Sequence, residues 1–220
     1  IGTVTDKTAM SDVAPLLFIA MGVFAISFVI ISADKIPEPA QERKTDKYEH
    51  SAWSFRHLVL GVVAIFFYVG IEIGIPSQLN FYLSDASAKG AGLAIDGAAV
   101  GGAIAAGYWL LMMVGRAFSS VISAKVNTRV QVITVSSLAI ILVLVAIFIP
   151  KEVVTTMPGY SVENGFFLAP GIPVKALFLV LCGLCTSILW GAIFNLSTEG
   201  LGKYTEQASG IFMMMVVGGG

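Results

Sequence analysis

The stretch Leu58-Val59-Leu60-Gly61-Val62-Val63-Ala64-Ile65-Phe66-Phe67-Tyr68-Val69-Gly70-Ile71-Glu72-Ile73-Gly74-Ile75-Pro76-Ser77-Gln78-Leu79-Asn80-Phe81-Tyr82-Leu83 carries a single charge, Glu72. It is longer than the roughly 20 residues that an α-helix needs to cross a bilayer. Blocks of the same kind run from Val13 to Ile31, Gly97 to Ile122, Val130 to Ile149, Ala176 to Thr198, and Ala208 onward. Barrel strands would need strict alternation over about ten residues, and Ile140-Ile141-Leu142-Val143-Leu144-Val145 does not alternate. The expected fold is therefore an all-α integral membrane protein, a polytopic helical bundle of five full spans and a truncated sixth.

Composition agrees with the pattern. Of 220 residues, 56% are hydrophobic and 12% charged, about half the charged share of a soluble domain. A soluble enzyme is excluded on that ground. A formal net charge of -1 supplies no basic field for nucleic acid. Two cysteines and two histidines are too few for a disulfide scaffold or a self-contained zinc cage, so no metal or cofactor is expected. The chain opens at Ile1 and closes on Gly218-Gly219-Gly220 inside an apolar block, so it is read as a fragment of a longer chain. The first block lacks a basic leader and a small-residue cleavage pattern, and it reads as a span.

Three regions are expected. Residues 1–32 hold the last helix of an amino-terminal half, 33–57 form a polar linker, and 58–220 form a truncated carboxy-terminal helical half. The linker carries Lys35, Arg43, Lys44, Lys47 and Arg56, and Lys125, Arg129 and Lys203 fall on its side of the membrane. Lys7, Lys89, Lys151 and Lys175 fall opposite. The positive-inside rule places linker 33–57 in the cytoplasm of a multi-pass inner-membrane protein. Pro150 to Lys175, with Pro158-Gly159 and Pro170-Gly171, reads as an external, turn-rich excursion.

The spans differ in polarity. Val13 to Ile31 and Val130 to Ile149 carry no charge, whereas the second, third and fifth carry Glu72, Arg116 and Asn195. Lipid-like spans three apart fit three-helix repeats of a secondary transporter, whose outer helices shield the cavity-lining ones. A carboxylate at mid-span costs about 2.5 to 3.5 kcal/mol even on a lenient scale, and marks a functional site by default. Glu72 can relay a proton or hydrogen-bond a polar substrate. The competing reading is a structural acid tied to Arg116. Pro76 clashes with the carbonyl four residues back, that of Glu72, so the helix is expected to kink or break there, as a ligand site or a tolerated bend. Tyr68 lies one turn before Glu72, with Gln78 and Asn80 further along, a strip able to bind hydroxyls. Trp190 and Asn195 offer an aromatic face and an amide, though packing explains such aromatics equally well. Arg116 either snorkels to the interface or pairs with Glu199 as a gate. Other patterns carry no chemistry. Cys182-Gly183-Leu184-Cys185 lies within an apolar helix, and Gly200-Leu201-Gly202-Lys203 lacks the register of a phosphate loop.

Three stretches carry a family resemblance: Phe66-Phe67-Tyr68-Val69-Gly70-Ile71-Glu72, Tyr108-Trp109 through Met112-Met113-Val114-Gly115-Arg116, and Glu199-Gly200-Leu201-Gly202-Lys203-Tyr204-Thr205 through Ala208-Ser209-Gly210. They resemble the seventh helix, the eighth helix and the tenth-to-eleventh connection of the fucose permease and glucose/galactose transporter group of the major facilitator superfamily. The resemblance covers the chain from Phe55 onward. It implies helices six to eleven of twelve and a cation-coupled, usually proton-coupled, symporter of a monosaccharide such as fucose, galactose or glucose. It also implies alternating access. A full-length monomer that makes no covalent chemistry is expected. Glu72 matches a cavity position, whereas Pro76-Ser77-Gln78 stands where many relatives have Gly-Ser and an apolar residue. A carrier of another polar solute, such as a nucleoside or amino sugar, and a non-transporting sensor or scaffold stay open as alternatives.

Overall fold

A computed structural model describes residues 10–33, 49–87, 89–93, 97–122, 126–161 and 165–220. Most of the linker and its bases Lys35, Arg43, Lys44 and Lys47, together with Lys7 and Lys125, lie outside the described residues. The order of elements is α1 (Met10–Ala33), α2 (Arg56–Ser84), α3 (Gly97–Ile122), α4 (Thr128–Phe148), β1 (Val154–Ser161), β2 (Gly165–Pro173), α5 (Val174–Thr198) and α6 (Thr205–Gly219). Two compact units, Ile1–Lys47 and Tyr48–Gly220, divide the chain. In the first, α1 carries the apolar stretch Leu17–Ala33.

In the second unit, α2, α3, α4 and α5 are each long and apolar enough to cross a membrane. The chain is a polytopic, mainly helical membrane protein. Local chemistry sets several boundaries. The Asn127 side chain accepts from the Arg129 N–H at 2.9 Å and caps α4, the role that short polar side chains play at helix starts. Pro150 follows the end of α4, and its ring disfavours helical geometry in the residue before it. Gly200, at φ +75°, turns the chain beyond α5.

Helix α5 is the hub, packing against α2, α3 and α4, while α6 leans on α2. Small residues let these backbones meet. A Cβ added at Gly61 would collide with Ser197, one at Gly115 with Ser187, and one at Gly183 with the Tyr108 carbonyl. Leu79, Leu83, Val100, Ile104 and Val180 close one end of the bundle, and Leu58, Val62, Leu201 and Ala208 close the other. Helix α4 leaves Ile133, Leu138, Ile140, Ile141, Leu144 and Phe148 exposed, a surface suited to hydrocarbon rather than water.

Two expectations are narrowed. Helix α2 does not break at Pro76 but runs through it from Arg56 to Ser84, with Pro76 buried. Neighbouring helices in a bundle hold a proline-containing segment in place. The excursion from Pro150 to Lys175 is a β-hairpin, antiparallel from Val154↔Pro173 to Ser161↔Gly165. Met157, Gly159, Ala169 and Ile172 are buried, and Phe166 is exposed. Pro158 and Pro170 sit within a two-stranded ribbon, where every strand is an edge and a missing N–H can face outward.

Candidate functional site

Four helices of the second unit line an open cavity of about 730 Å³ that gathers polar side chains within an otherwise apolar bundle. Helix α2 contributes Glu72, α3 Arg116 and Ser119, α4 Thr128 and Gln131, and α5 Ser187, Trp190 and Asn195. Glycine-mediated contact of α5 with α2 and α3 brings these groups to one side. Arg116 Nη2 stands 3.4 Å from Glu72 Oε1, with side-chain exposures of 55% and 13%. The contact is one hydrogen bond rather than a two-pronged fork, so the guanidinium keeps further donors for another partner. The acid is thus held at depth while its partner reaches toward the open side.

Trp190 lies parallel to Phe194, ring centres 5.9 Å apart at 12°, and meets Phe212 edge-on at 6.2 Å. The cavity's aromatic wall is therefore fixed by packing against α6. Gln131 is buried, and its Nε2 donates to the Val126 carbonyl at 2.8 Å. Ser187 Oγ donates to the Leu184 carbonyl at 2.6 Å. Gln131 and Ser187 are thus tethered to backbone, which preorganises their part of the wall.

The structure divides the strip expected on α2. Glu72 lines this cavity together with Trp190 and Asn195. Tyr68 is buried behind it, donating to the Thr186 carbonyl at 2.9 Å, and borders a separate apolar groove of about 600 Å³ between α2, α4 and α5. Asn80 accepts from Ser84 Oγ at 3.3 Å and borders a small cavity of about 330 Å³ with Trp109. Gln78 is exposed and lines none of these cavities. At about 100° per residue, Gln78 is turned about 240° from Glu72, whereas Tyr68 lies about 40° away. Of the two acids that the sequence offered to Arg116, Glu72 and Glu199, Arg116 meets Glu72. Glu199 borders a further cavity of about 590 Å³ with Arg129, and this cavity shares Thr128 and Asn195 with the first.

Ser119, Thr128, Gln131 and Ser187 are cavity groups that the sequence reading did not single out. Gln131 alone carried a signal, as an amide inside an apolar block. Among the described residues no cluster of three or more His, Cys, Asp or Glu could hold a metal ion, and Cys182 and Cys185 are free and buried.

No protein-family model matches the chain, and no solved structure matches it. Curated relatives do. Proteins named glucose/galactose transporter from two strains of Brucella abortus are 34% identical over 205 residues, covering 93% of this chain and 43% of theirs. A Helicobacter pylori protein, named provisionally as a glucose/galactose transporter, is 28% identical over 216 residues, covering 97% of this chain and 46% of its own. These relatives are named as transporters rather than enzymes. Along nearly its whole length the chain is thus similar to proteins named glucose/galactose transporters, and it spans less than half the length of those relatives.

Proposed function

We propose that this chain is part of a secondary active transporter that carries a monosaccharide, with glucose, galactose and fucose as the candidates, across the inner membrane. It works by alternating access, coupled to a proton, as a monomer with residues 33–57 on the cytoplasmic side. The observation that carries this reading is the Glu72–Arg116 pair at the wall of a polar cavity between apolar helices. A sugar presents vicinal hydroxyls. A carboxylate accepts from two of them, a guanidinium donates to ring or hydroxyl oxygens, and both charged groups make stronger hydrogen bonds than neutral ones. The Asn195 amide does both, and the Trp190 face suits the sugar's C–H groups.

Transport asks that these bonds form in one orientation and break in another. The single-pronged pair suits this, since solute hydroxyls can take over the contact that Arg116 makes with Glu72 at little net cost. Glu72 then exchanges Arg116 for solute or for a proton, which links the three events at one carboxyl group. Gln78 and Asn80, outside the main cavity, are assigned to the opposite end of the pathway, and Arg129 with Glu199 to its mouth near Thr128.

The test is uptake of labelled glucose, galactose and fucose by the intact protein in proteoliposomes, with and without an inward proton gradient. Accumulation of one sugar driven by the gradient is expected. Folded protein that accumulates none of the three would overturn the sugar assignment, and a nucleoside and amino-sugar panel would then identify another solute.

A further inference from the structure

Thr186, midway along α5, ties three helices together. The Tyr68 hydroxyl of α2 donates to its backbone carbonyl at 2.9 Å, and the Tyr108 hydroxyl of α3 shares a hydrogen bond with its Oγ1 at 2.9 Å. All three side chains are buried. Glu72 stands four residues along α2 from Tyr68, where side chains share a face and are neighbours, so its carboxylate is the next acceptor along that face from the Tyr68 hydroxyl. A phenol has a single proton to donate. The Thr186 carbonyl and the Glu72 carboxylate therefore compete for it, and Arg116, the other partner of Glu72, sets how strongly the carboxylate competes.

We propose that Tyr68 is a positioning residue that passes its one hydroxyl hydrogen bond between the Thr186 carbonyl and the Glu72 carboxylate, so that loss of Arg116 from Glu72 releases α5 from α2. The inference rests on the proposed function only in taking Glu72 as the group that meets solute. With Arg116 in place, Glu72 is satisfied and Tyr68 holds Thr186. When solute or a shift of α3 draws Arg116 away, the ionised carboxylate is the stronger acceptor, and Tyr68 turns to it. A protonated Glu72 is instead a donor to the Tyr68 oxygen, and Tyr68 returns to Thr186. Among the described residues few other ionisable groups bear on the exchange. Arg116 and Tyr108 face it from α3, with Cys182 and Cys185 of α5 near Tyr108. Arg129 of α4 and Glu206 of α6 stand in the first turns of their helices.

The experiment places 3-fluorotyrosine at position 68 of the intact protein by codon suppression and records its fluorine resonance in lipid nanodiscs. Arg116→Gln is expected to move the resonance at neutral pH, acidification to return it, and Glu72→Gln on top of Arg116→Gln to abolish the displacement. Arg116→Lys, which keeps the charge, should leave the wild-type position, and Arg116→Ala serves the same comparison if the Gln variant does not fold. A resonance unmoved by loss of Arg116, or one displaced equally without Glu72, overturns the proposal. Tyr68→Phe should lower the maximal uptake rate about tenfold with half-saturation unchanged within about twofold, and wild-type kinetics would likewise overturn it. Failure of all sugar uptake sinks the transport reading alone, because the resonance is read without transport.

Discussion

Replacing Glu72 by Gln separates a structural acid from a solute-binding one. The pair it forms with Arg116 spans 3.4 Å, a distance at which two unit charges interact by about 5 kcal/mol at an effective dielectric of 20 and about 1 kcal/mol in water. Arg116 is 55% exposed, so screening draws the value toward the lower limit. Glu72→Gln is therefore expected to cost about 1 kcal/mol of stability, read as a drop of a few degrees in the melting temperature of the detergent-solubilised protein. Solute should feel the change far more. A hydrogen bond to a charged group contributes about 1.5 to 3 kcal/mol, and losing one weakens half-saturation about ten- to hundredfold. Paired melting and uptake measurements on the intact protein give both numbers. Uptake with wild-type half-saturation at every solute concentration would refute the reasoning. So would a collapse of folding with no separable effect on affinity, since the acid would then be a strut.

Further outcomes follow from other parts of the molecule. Gly61→Val puts carbons where Ser197 packs, and should destabilise the bundle by about 1 to 3 kcal/mol, whereas Gly74→Ala, with open space around it, should melt close to wild type. Trp190→Leu removes the aromatic wall but keeps an apolar side chain against Phe212; it should weaken sugar half-saturation about tenfold or more, by the 1 to 3 kcal/mol that stacking platforms contribute elsewhere, with folding retained by circular dichroism. Beyond α2, the Ser87 N–H bonded to Asp85 Oδ1 at 2.8 Å holds that carboxyl below the ordinary aspartate range. A depressed value means that the turn's stabilisation is in full force above the unfolded-state pKa and is lost as pH falls through the folded one. Protection of the Ser87 amide, taken relative to its intrinsic exchange rate at each pH, should fall only in that acidic window, and Asp85→Asn should make the protection independent of pH there.

The spans were legible because membrane crossing writes itself as length and apolarity, which no tertiary contact has to supply. Glu72 was legible for the same reason, as a charge where charge is costly. Its partner was legible only as one of the readings open for Arg116, which stands 44 positions away, because the register of α3 on α2 is fixed by close packing at Gly97 and Gly101 against Leu83 and Asn80. Arg116 could equally have faced Glu199 on periodicity alone. The hairpin was hidden by Pro158-Gly159 and Pro170-Gly171, which read as turns in isolation but are tolerated in a two-stranded ribbon with one face packed on α3. Gln78 shows the limit of treating a helix as a strip, since proximity in sequence put it with Glu72 and rotation put it elsewhere. Thr186 had no signal at all, because a threonine within an apolar helix is unremarkable until two tyrosines from other helices converge on it.

Thr128 and Asn195 border both of the larger polar cavities. On the proposed function, a polar solute passing between those cavities meets no wholly dry barrier, because one hydroxyl and one amide border both. Its dehydration is spread over two smaller stages in place of one. Changes at Thr128 would then register in how long a solute dwells on its way through more than in how tightly it is held.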